Sequence, residues 1–280
     1  MSDAARQEQL LTQGFCHFPK ILNQEILGEL IRVTDRLLDA EPAEHHQKVR
    51  YQGSNISVAY QDPVFARLFT WPNTLEALAS LGYPDPKWWS SFLLSKPPYG
   101  PPLYWHQDWW AWDHPCSADP HLLQAFLMYY LTDTTRENGC LRLIPGTHAR
   151  RVDLHEKLPP AHSEETYEAP LDAPMFSLHP QEIDVPVKAG DLVVGDARLL
   201  HAAHANQTGQ RRSLLTLWYF PAFKDLPEPI RAFVGRKKPL EPPDWWEGDA
   251  GKLMESLVPR YAGSAEPAQW NRVPGEHLKY

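Results

Sequence analysis

The amino-acid sequence predicts a mainly β protein with flanking α-helices, in which one antiparallel β-sandwich or barrel is buttressed by N-terminal helices. Helical spacing of apolar residues is concentrated in the first 81 residues, and about eight short apolar runs follow between residues 88 and 220. Gly and Pro separate these runs, and 28 prolines in 280 residues favour short strands and ordered loops. Helices followed by a series of strands are typical of an antiparallel β fold rather than of alternating β and α units.

The N-terminal part of the sequence predicts three helices and one strand. A short polar helix precedes the strand-like run 14–19 (GFCHFP). Asn23 is a suitable N-cap for a helix over about 24–39, where apolar residues recur every three or four positions. The same spacing predicts a further helix over about 63–81.

The rest of the chain predicts strands, one insertion and a tail, and all 280 residues are expected to form one domain with its strand core at about 88–220. The predicted strands are 88–95, 103–110, 122–131, 140–144, 183–187, 191–194, 199–203 and 212–220. Residues 149–182 lack clear periodicity and form an insertion long enough to act as a lid. The tail, 221–280, is predicted to be irregular, with a short helix at 249–258.

Composition excludes several classes of partner. A formal charge of −8 argues against binding to the phosphate backbone of a nucleic acid. There is no 18-residue apolar run to span a membrane, and the polar N-terminus has no apolar signal core. The three cysteines (Cys16, Cys116 and Cys140) form no CxxC pair and indicate reduced thiols. We therefore expect a cytoplasmic protein that acts on a small molecule.

The run His106-Gln107-Asp108 carries the first sign of a metal site. On an extended strand, His106 and Asp108 project from the same face. One more histidine would complete the 2-His-1-carboxylate triad that holds non-haem Fe(II). His201 and His204 are rivals for that third position, and the apolar lead-in and the eleven-residue step from His201 to Arg212 favour His201.

Arg212 is the candidate anion-binding residue. Antiparallel pairing across the connection 204–211 can place Arg212 on the same inner face as His201. A buried guanidinium without an anion would be costly, and a 2-oxoglutarate-dependent oxygenase needs one for the distal carboxylate of 2-oxoglutarate. Strand alternation lets only one of Arg211 and Arg212 point inward, and the spacing selects Arg212.

An ordered set of motifs resembles the phytanoyl-CoA dioxygenase family, which includes the ectoine hydroxylases. The resemblance runs from Gly14 to about Phe220. After the amphipathic helix, its motifs are 96–98 (KPP), 106–108 (HQD), 131–133 (LTD), 137–141 (ENGCL), 144–148 (IPGTH), 190–191 (GD), His201, Asn206 and Arg212.

The resemblance implies a double-stranded β-helix (jelly roll, cupin-like) that binds Fe(II) and 2-oxoglutarate and uses O2 to hydroxylate a carbon of a small molecule. It implies that His106, Asp108 and His201 are the iron ligands and that Arg212 binds 2-oxoglutarate. Related halogenases have a small residue in place of the carboxylate, so Asp108 favours hydroxylation, with desaturation or ring chemistry left open.

Five further positions align with cosubstrate-binding positions of the family. Gln107 lies within the metal motif, Phe92 and Met128 fall on neighbouring strands, and Thr216 shares the face of Arg212. The fifth is Ala203, where the family often has a serine that bonds 2-oxoglutarate; here only the backbone could contribute.

The substrate pocket and the remaining histidines give weaker predictions. Trp109, Tyr130 and Arg142 are candidates for the pocket, since each follows or neighbours a metal-site strand. His148 ends a turn and is expected to be structural. The other histidines are expected to be surface residues of loops: His45, His46, His114, His121, His155, His162 and His179.

The sequence therefore predicts an Fe(II)- and 2-oxoglutarate-dependent dioxygenase that hydroxylates or otherwise oxidises a C–H bond and releases succinate and CO2. The alternative is a cupin-like isomerase or hydrolase that uses the same His/Asp/His site for zinc or manganese and does not need Arg212. A non-catalytic jelly roll with degenerate motifs is disfavoured, because all three ligands and the arginine are present.

Overall fold

Two antiparallel sheets face each other in the computed structural model, which describes residues 1–42, 44–45, 51, 53–236 and 243–280. The strands are β1 (Phe15–Phe18), β2 (Ser54–Ser57), β3 (Lys87–Lys96), β4 (Leu103–His106), β5 (Ala125–Tyr130), β6 (Leu141–Leu143), β7 (Ile183–Val185), β8 (Leu192–Asp196), β9 (His201–Ala203) and β10 (Arg212–Phe220). The larger sheet has the order β1-β8-β5-β10-β3-β2, and the smaller has the order β4-β9-β6-β7. This confirms the predicted jelly roll.

Helices lie before, between and after the strands. They are α1 (Asp3–Gln13), α2 (Gln24–Asp39), α3 (Pro63–Phe69), α4 (Pro72–Ser80), α5 (Glu164–Glu168), α6 (Glu228–Arg236) and α7 (Gly251–Met254). The predicted N-cap is confirmed, because the side chain of Asn23 accepts a hydrogen bond from the backbone N–H of Ile26 at 3.0 Å. Among the described helices, none has the length and apolar character needed to cross a bilayer.

The single helix predicted over 63–81 is wrong. Pro72 has no N–H with which to continue α3, and it instead occupies the first turn of α4. The strand predicted at 103–110 is also too long. It ends at His106, because the backbone N–H groups of Asp108 and Trp109 both donate to the carbonyl of Ala197, at 2.7 and 2.9 Å.

Three elements were missed, and one of them, the short helix α5, lies in the insertion that lacks clear periodicity. The strand β2 is a short edge strand whose sequence, SNIS, offers one large apolar residue, and it pairs only with β3. The helix α6 lies in the tail that the sequence predicts to be irregular, where Pro229 near its start obscures the helical spacing. The helix predicted at 249–258 is reduced to α7 and flanking single turns.

The alternation of β10 separates the structural core from the interior of the jelly roll. Leu215, Leu217 and Tyr219 pack with α2, α3 and α4 in the largest apolar cluster, and full burial of each leucine contributes about 2 kcal/mol. Tyr219 also donates its hydroxyl to the carbonyl of Phe69 at 2.7 Å. The intervening residues point the other way, into a cavity between the two sheets. The helices therefore hold one face of β10 while the other face is available for chemistry.

Candidate active site

The smaller sheet brings two of the predicted metal ligands together. His106 ends β4, His201 begins β9, and the two residues are direct partners in the antiparallel register. Their ring centroids lie 4.2 Å apart, and both side chains are buried. Residues of separate strands, 95 positions apart in sequence, are thus held side by side by backbone pairing alone.

Backbone carbonyls set the orientation of both imidazole rings. Nδ1 of His106 donates to the carbonyl of Tyr104 at 3.0 Å, and Nδ1 of His201 donates to the carbonyl of Leu199 at 3.0 Å. Because a carbonyl only accepts, each ring carries a proton on Nδ1, so the neutral tautomer that this arrangement selects has its lone pair on Nε2, directed to the site. Hydrogen bonds of this kind orient histidine ligands in metal sites.

Asp108 completes the group. Its carboxylate oxygens lie 3.8 Å from Nε2 of His106 and 3.7 Å from Nε2 of His201. One potential ligand atom from each of the three residues lies within 4.8 Å of the others. Two neutral imidazoles and one carboxylate are the donor set of the 2-His-1-carboxylate triad, so the residues fit Fe(II).

The electrostatics of the group suit metal binding. Burial lowers the pKa of His106 well below its usual value, and the neighbouring His201 lowers it further. Burial opposes ionisation of Asp108, but its contact with His162 and the nearby guanidinium of Arg272 favour the charged carboxylate and lower its pKa. Metal ligands must be neutral histidine and ionised carboxylate, and these shifts favour those forms.

Three strands of the larger sheet form the opposite wall in matched rows. Thr216 of β10 lies between Phe92 of β3 and Met128 of β5 in the register, so three predicted cosubstrate positions form one row. Two rows further along the same face, beyond the row of Leu214, Arg212 is paired with Lys96. All six of these side chains line the cavity.

Arg212 is a buried cation without an anionic partner. Its Nη2 donates to the carbonyl of Gly139 at 2.7 Å, Nε has no hydrogen-bond partner, and among the described residues no carboxylate forms an ion pair with it. Burial lowers its pKa. Gly139 has φ +90°, and a Cβ there would lie 2.8 Å from the carbonyl oxygen of His204. The turn that holds the guanidinium therefore requires glycine.

The two alternatives weighed for these positions lie elsewhere. His204 Nε2 contacts Asp184 at 2.6 Å rather than Asp108. Arg211 lies at the surface and forms ion pairs with Asp35 and Asp39, each at 2.8 Å. The structure thus brings His201 and Arg212, and not their neighbours, to the cavity.

Of the other residues predicted to bind the cosubstrate or substrate, Tyr130 and Ala203 line the cavity. Gln107, Trp109 and Arg142 do not. Gln107 donates to the carbonyl of Arg198 and so braces the turn between the two ligands. Trp109 lies in a separate apolar cluster, where its Nε1 donates to Ser117 Oγ at 2.9 Å.

Arg142 is the third residue outside the cavity. It stacks over Trp105, with its guanidinium carbon 4.5 Å from the ring centroid, and pairs with Glu182 at 3.2 Å. A position on the outward face of β6 explains why it turns away from the metal ligands. The predictions that place Arg142 and Trp109 in the substrate pocket are corrected accordingly.

Four residues around Asp108 were missed by the sequence analysis. Trp218 donates its Nε1 to Oδ2 at 2.9 Å, and His162 lies 3.8 Å from Oδ1. Arg272 donates to the backbone carbonyl of Asp108 at 3.1 Å. Trp110, rather than Trp109, lines the cavity. The prediction that His162 and His155 are surface residues is wrong, because His162 lines the cavity and His155 is buried (4% exposed). No local pattern marks His162, because Tyr104, His106 and Asp108, which it contacts at the site, are distant in sequence.

The cavity formed by these walls has a volume of about 370 Å³. That volume falls in the range of small-molecule sites. The insertion contributes His162 and Tyr167 to its lining, and the C-terminal tail contributes Trp270 and Arg272.

Comparison with known proteins agrees with this site. Residues 10–214 match the family described as phytanoyl-CoA dioxygenase (PhyH). The ectoine dioxygenase of Halomonas elongata is 26% identical over 273 residues, covering 88% of this chain and 79% of that protein. A probable alpha-ketoglutarate-dependent hypophosphite dioxygenase of Stutzerimonas stutzeri is 30% identical over 140 residues, which cover 48% of this chain but only 44% of that protein.

A solved structure shares the fold. The epimerase SnoN, in complex with Fe3+, alpha ketoglutarate and nogalamycin RO, superposes with a TM-score of 0.59 at 20% identity and covers 99% of this chain and 97% of its own. The family match spans well over half of the residues and contains both histidines, the aspartate and Arg212. The chain belongs to the phytanoyl-CoA dioxygenase family and is a dioxygenase of the iron- and 2-oxoglutarate-dependent kind.

Proposed function

We propose that the protein hydroxylates a C–H bond of a small, partly apolar metabolite, with His106, Asp108 and His201 as iron ligands and Arg212 as the residue that binds the distal carboxylate of 2-oxoglutarate. One oxygen atom of O2 enters the substrate and the other enters succinate as 2-oxoglutarate loses CO2. The iron, when bound, activates O2 for this oxidation.

The unpaired Arg212 is the observation that carries the proposal. Among the described residues its only hydrogen-bond partner is a neutral carbonyl, although it lies in the interior of the jelly roll. Leaving a buried guanidinium without an anion costs several kcal/mol. A carboxylate from a ligand would bind it through two parallel hydrogen bonds and remove that cost.

The row of Phe92, Thr216 and Met128 supports the same placement of 2-oxoglutarate. It lies between Arg212 and Trp218 on the same face, two rows from Arg212 and one row from Trp218, which contacts the carboxylate of Asp108. A molecule that spans from Arg212 to the three ligands must cross this row. Thr216 Oγ1 is buried without a hydrogen-bond partner and is a suitable donor to it.

The substrate would enter on the side of the insertion and the tail. His162 and Tyr167 of the insertion line the cavity, which supports a role of residues 149–182 as a lid. Asp108 retains the carboxylate that halogenases lack, which supports hydroxylation over halogenation.

Succinate release tests the proposal. Fe(II)-loaded protein is supplied with 2-oxoglutarate and O2 across a metabolite library, and substrate-dependent succinate formation is expected. Asp108→Ala should abolish succinate formation. Arg212→Gln should raise the KM for 2-oxoglutarate at least tenfold. Arg211→Gln, which removes surface ion pairs, should leave that KM unchanged. Turnover of any substrate without 2-oxoglutarate and O2 would instead support the zinc or manganese cupin alternative.

A further inference from the structure

The C-terminal tail forms one wall of the cavity, although it lies beyond residue 214, where the family match ends. Asn271 anchors it: its N–H donates to the carbonyl of Trp110 at 2.7 Å, and its carbonyl accepts from the N–H of Trp112 at 3.3 Å. Arg151 of the insertion holds the tail further along by donating to the carbonyls of Leu278 and Pro274, at 2.9 and 3.0 Å. The tail is therefore a fixed part of the site.

The tail adds an aromatic surface. Trp270 stacks on Trp110 with ring centroids 5.6 Å apart and an interplanar angle of 11°, and Trp110 in turn stacks on Trp89 at 6.3 Å and 10°. All three line the cavity, and Trp270 keeps about half of its surface exposed (52%). Trp110 is buried (1% exposed), so the indole that offers a flat apolar surface to a ligand is that of Trp270, which the buried Trp110 supports.

Arg272 brings a positive charge to the edge of this surface. Its guanidinium carbon lies 5.4 Å from the Trp270 ring centroid, and it donates to two neutral carbonyls, those of Ala161 and Asp108, at 3.3 and 3.1 Å. Its Nε is buried without a hydrogen-bond partner. Within the part of the chain that the structure describes, its only carboxylate neighbour is Asp108, at 3.9 Å.

Charge balance leaves Arg272 without a counterion once the site is loaded. Of the residues that the structure describes, the lysine, arginine and carboxylate side chains that line the cavity are Lys96, Arg212, Arg272 and Asp108. Iron brings two positive charges and 2-oxoglutarate two negative ones, so these cancel. A charged Lys96 leaves an excess of two positive charges and a neutral Lys96 leaves one. Asp108 neutralises iron rather than Arg272, and the excess favours a negatively charged substrate.

The two arginines lie at opposite ends of the cavity. Arg212 and Trp218 are six residues apart on the same face of β10, or about 20 Å along the strand. Trp218 contacts the carboxylate of Asp108, whose backbone carbonyl Arg272 holds. Arg272 is therefore on the far side of the cavity from the residue assigned to the distal carboxylate of 2-oxoglutarate.

We propose that Arg272 and Trp270 form a substrate subsite that binds a carboxylate whose apolar body packs on the Trp270 indole. The inference rests on the proposed function, because it requires 2-oxoglutarate to occupy Arg212. It makes the tail a determinant of specificity, with an anionic, preferably aromatic or otherwise flat, small molecule as the substrate class.

Calorimetry with matched probes tests the subsite. Protein loaded with Fe(II) and saturating 2-oxoglutarate, without oxygen, is titrated to about 10 mM with phenylacetate, 3-phenylpropionate and 4-phenylbutyrate and with the amide of each. At least one acid should bind tenfold or more tightly than its amide. Arg272→Gln should reduce that ratio to about twofold or less, and Arg272→Lys should retain part of it. Arg260→Gln, at an exposed arginine of the same tail, should retain all of it.

Affinity for 2-oxoglutarate, measured first, separates the possible failures. If Arg212→Gln loses 2-oxoglutarate binding and Arg272→Gln does not, the proposed function is upheld. In that case, equal affinity for acids and amides, or no binding of any acid, overturns the subsite alone. If Arg272→Gln weakens 2-oxoglutarate as much as Arg212→Gln does, Arg272 serves the cosubstrate and the subsite is wrong. If 2-oxoglutarate does not bind, the proposed function fails and the subsite with it. Melting temperatures of all variants exclude loss of fold as the cause.

Discussion

Trp218 donates its indole N–H to Oδ2 of Asp108 at 2.9 Å, and this bond joins the larger sheet to the metal-ligand group of the smaller one. The same face of β10 carries Arg212 at its other end. A single strand therefore orients the carboxylate of Asp108, the candidate metal ligand, and carries the candidate cosubstrate-binding arginine.

Replacement of Trp218 tests this coupling. Trp218→Phe keeps an aromatic ring but removes the donor, so the carboxylate of Asp108 loses its fixed orientation, and affinity for Fe(II) should fall by about 10- to 100-fold. Anaerobic metal titration measures the change. Tyr219→Phe, on the opposite face of β10, should cost about 1 kcal/mol of folding free energy through its lost bond to Phe69 and leave metal affinity unaltered. Equal metal affinity of Trp218→Phe and the native protein would contradict the assigned role.

A second prediction concerns Gly195, which leaves space for the Phe126 ring that packs against His201. Phe126 pairs with Gly195 in the register and packs against the His201 ring at 4.8 Å, and a Cβ at residue 195 would lie 2.1 Å from the Phe126 ring. Gly195→Ala should push the ring toward the metal site, lower the free energy of unfolding by about 1–3 kcal/mol and weaken metal binding.

Gly28→Ala is the matched control, measured by the same denaturant titration and metal titration. A Cβ at Gly28, within α2, meets nothing within 4 Å. Alanine there should stabilise the protein by up to about 1 kcal/mol through helix propensity. A Gly195→Ala protein as stable as the native one would show that the Phe126 ring can move without cost.

Gly139 gives a third prediction, which concerns the cosubstrate. Gly139→Ala forces a side chain onto φ +90° and against the carbonyl of His204, so the carbonyl that holds Arg212 must shift. We expect the KM for 2-oxoglutarate to rise several-fold. Gly82→Ala imposes a comparable backbone strain at φ +94°, but its nearest neighbour atom is 4.0 Å away. Both variants should lose about 1–2 kcal/mol of stability, and only Gly139→Ala should alter the KM.

His155 gives a prediction for pH dependence. Burial lowers the pKa of His155 to about 4. The unfolded chain has the ordinary histidine value of about 6.5, so between these values the unfolded state binds the proton more tightly and stability falls as the pH falls. The total loss is on the order of 3 kcal/mol.

The variant His155→Gln removes this proton and isolates its contribution. Urea unfolding at pH 7.5 and pH 5 should show a smaller drop in stability for the variant than for the native protein. For each protein, the free energy of unfolding at pH 5 is subtracted from that at pH 7.5. The part of the substitution's cost that does not depend on pH cancels in this difference. An identical drop in both would show that His155 is protonated as readily in the folded state as in the unfolded one.

The central site was predictable because its residues lie in short, ordered motifs. His106 is paired with His201 in the register. Strand alternation and the lengths of the connections between strands, which help to set such a register, can be read from the sequence. The turn at Gly139 and the inward position of Arg212 follow from the same patterns. These features are local, or are repeated across neighbouring strands.

The outer half of the site was not predictable for the opposite reason. His162 and Arg272 reach Asp108 from loops 54 and 164 positions away, and no periodicity fixes where a loop ends in space. Trp109 and Trp110 are adjacent tryptophans, and which one lines the cavity depends on the turn made after β4 ends. That turn is set by the bonds of Asp108 and Trp109 to Ala197, a tertiary contact.

The position of Trp270 and Arg272 near the end of the chain also orders events during synthesis. Every strand of both sheets has been made by residue 220, whereas the wall that carries these two residues follows about fifty residues later. At usual translation speeds that interval is about 3–10 seconds. The nascent chain therefore contains all of the candidate metal ligands before the candidate substrate wall has been made, so the two halves of the proposed site are completed at different stages of synthesis.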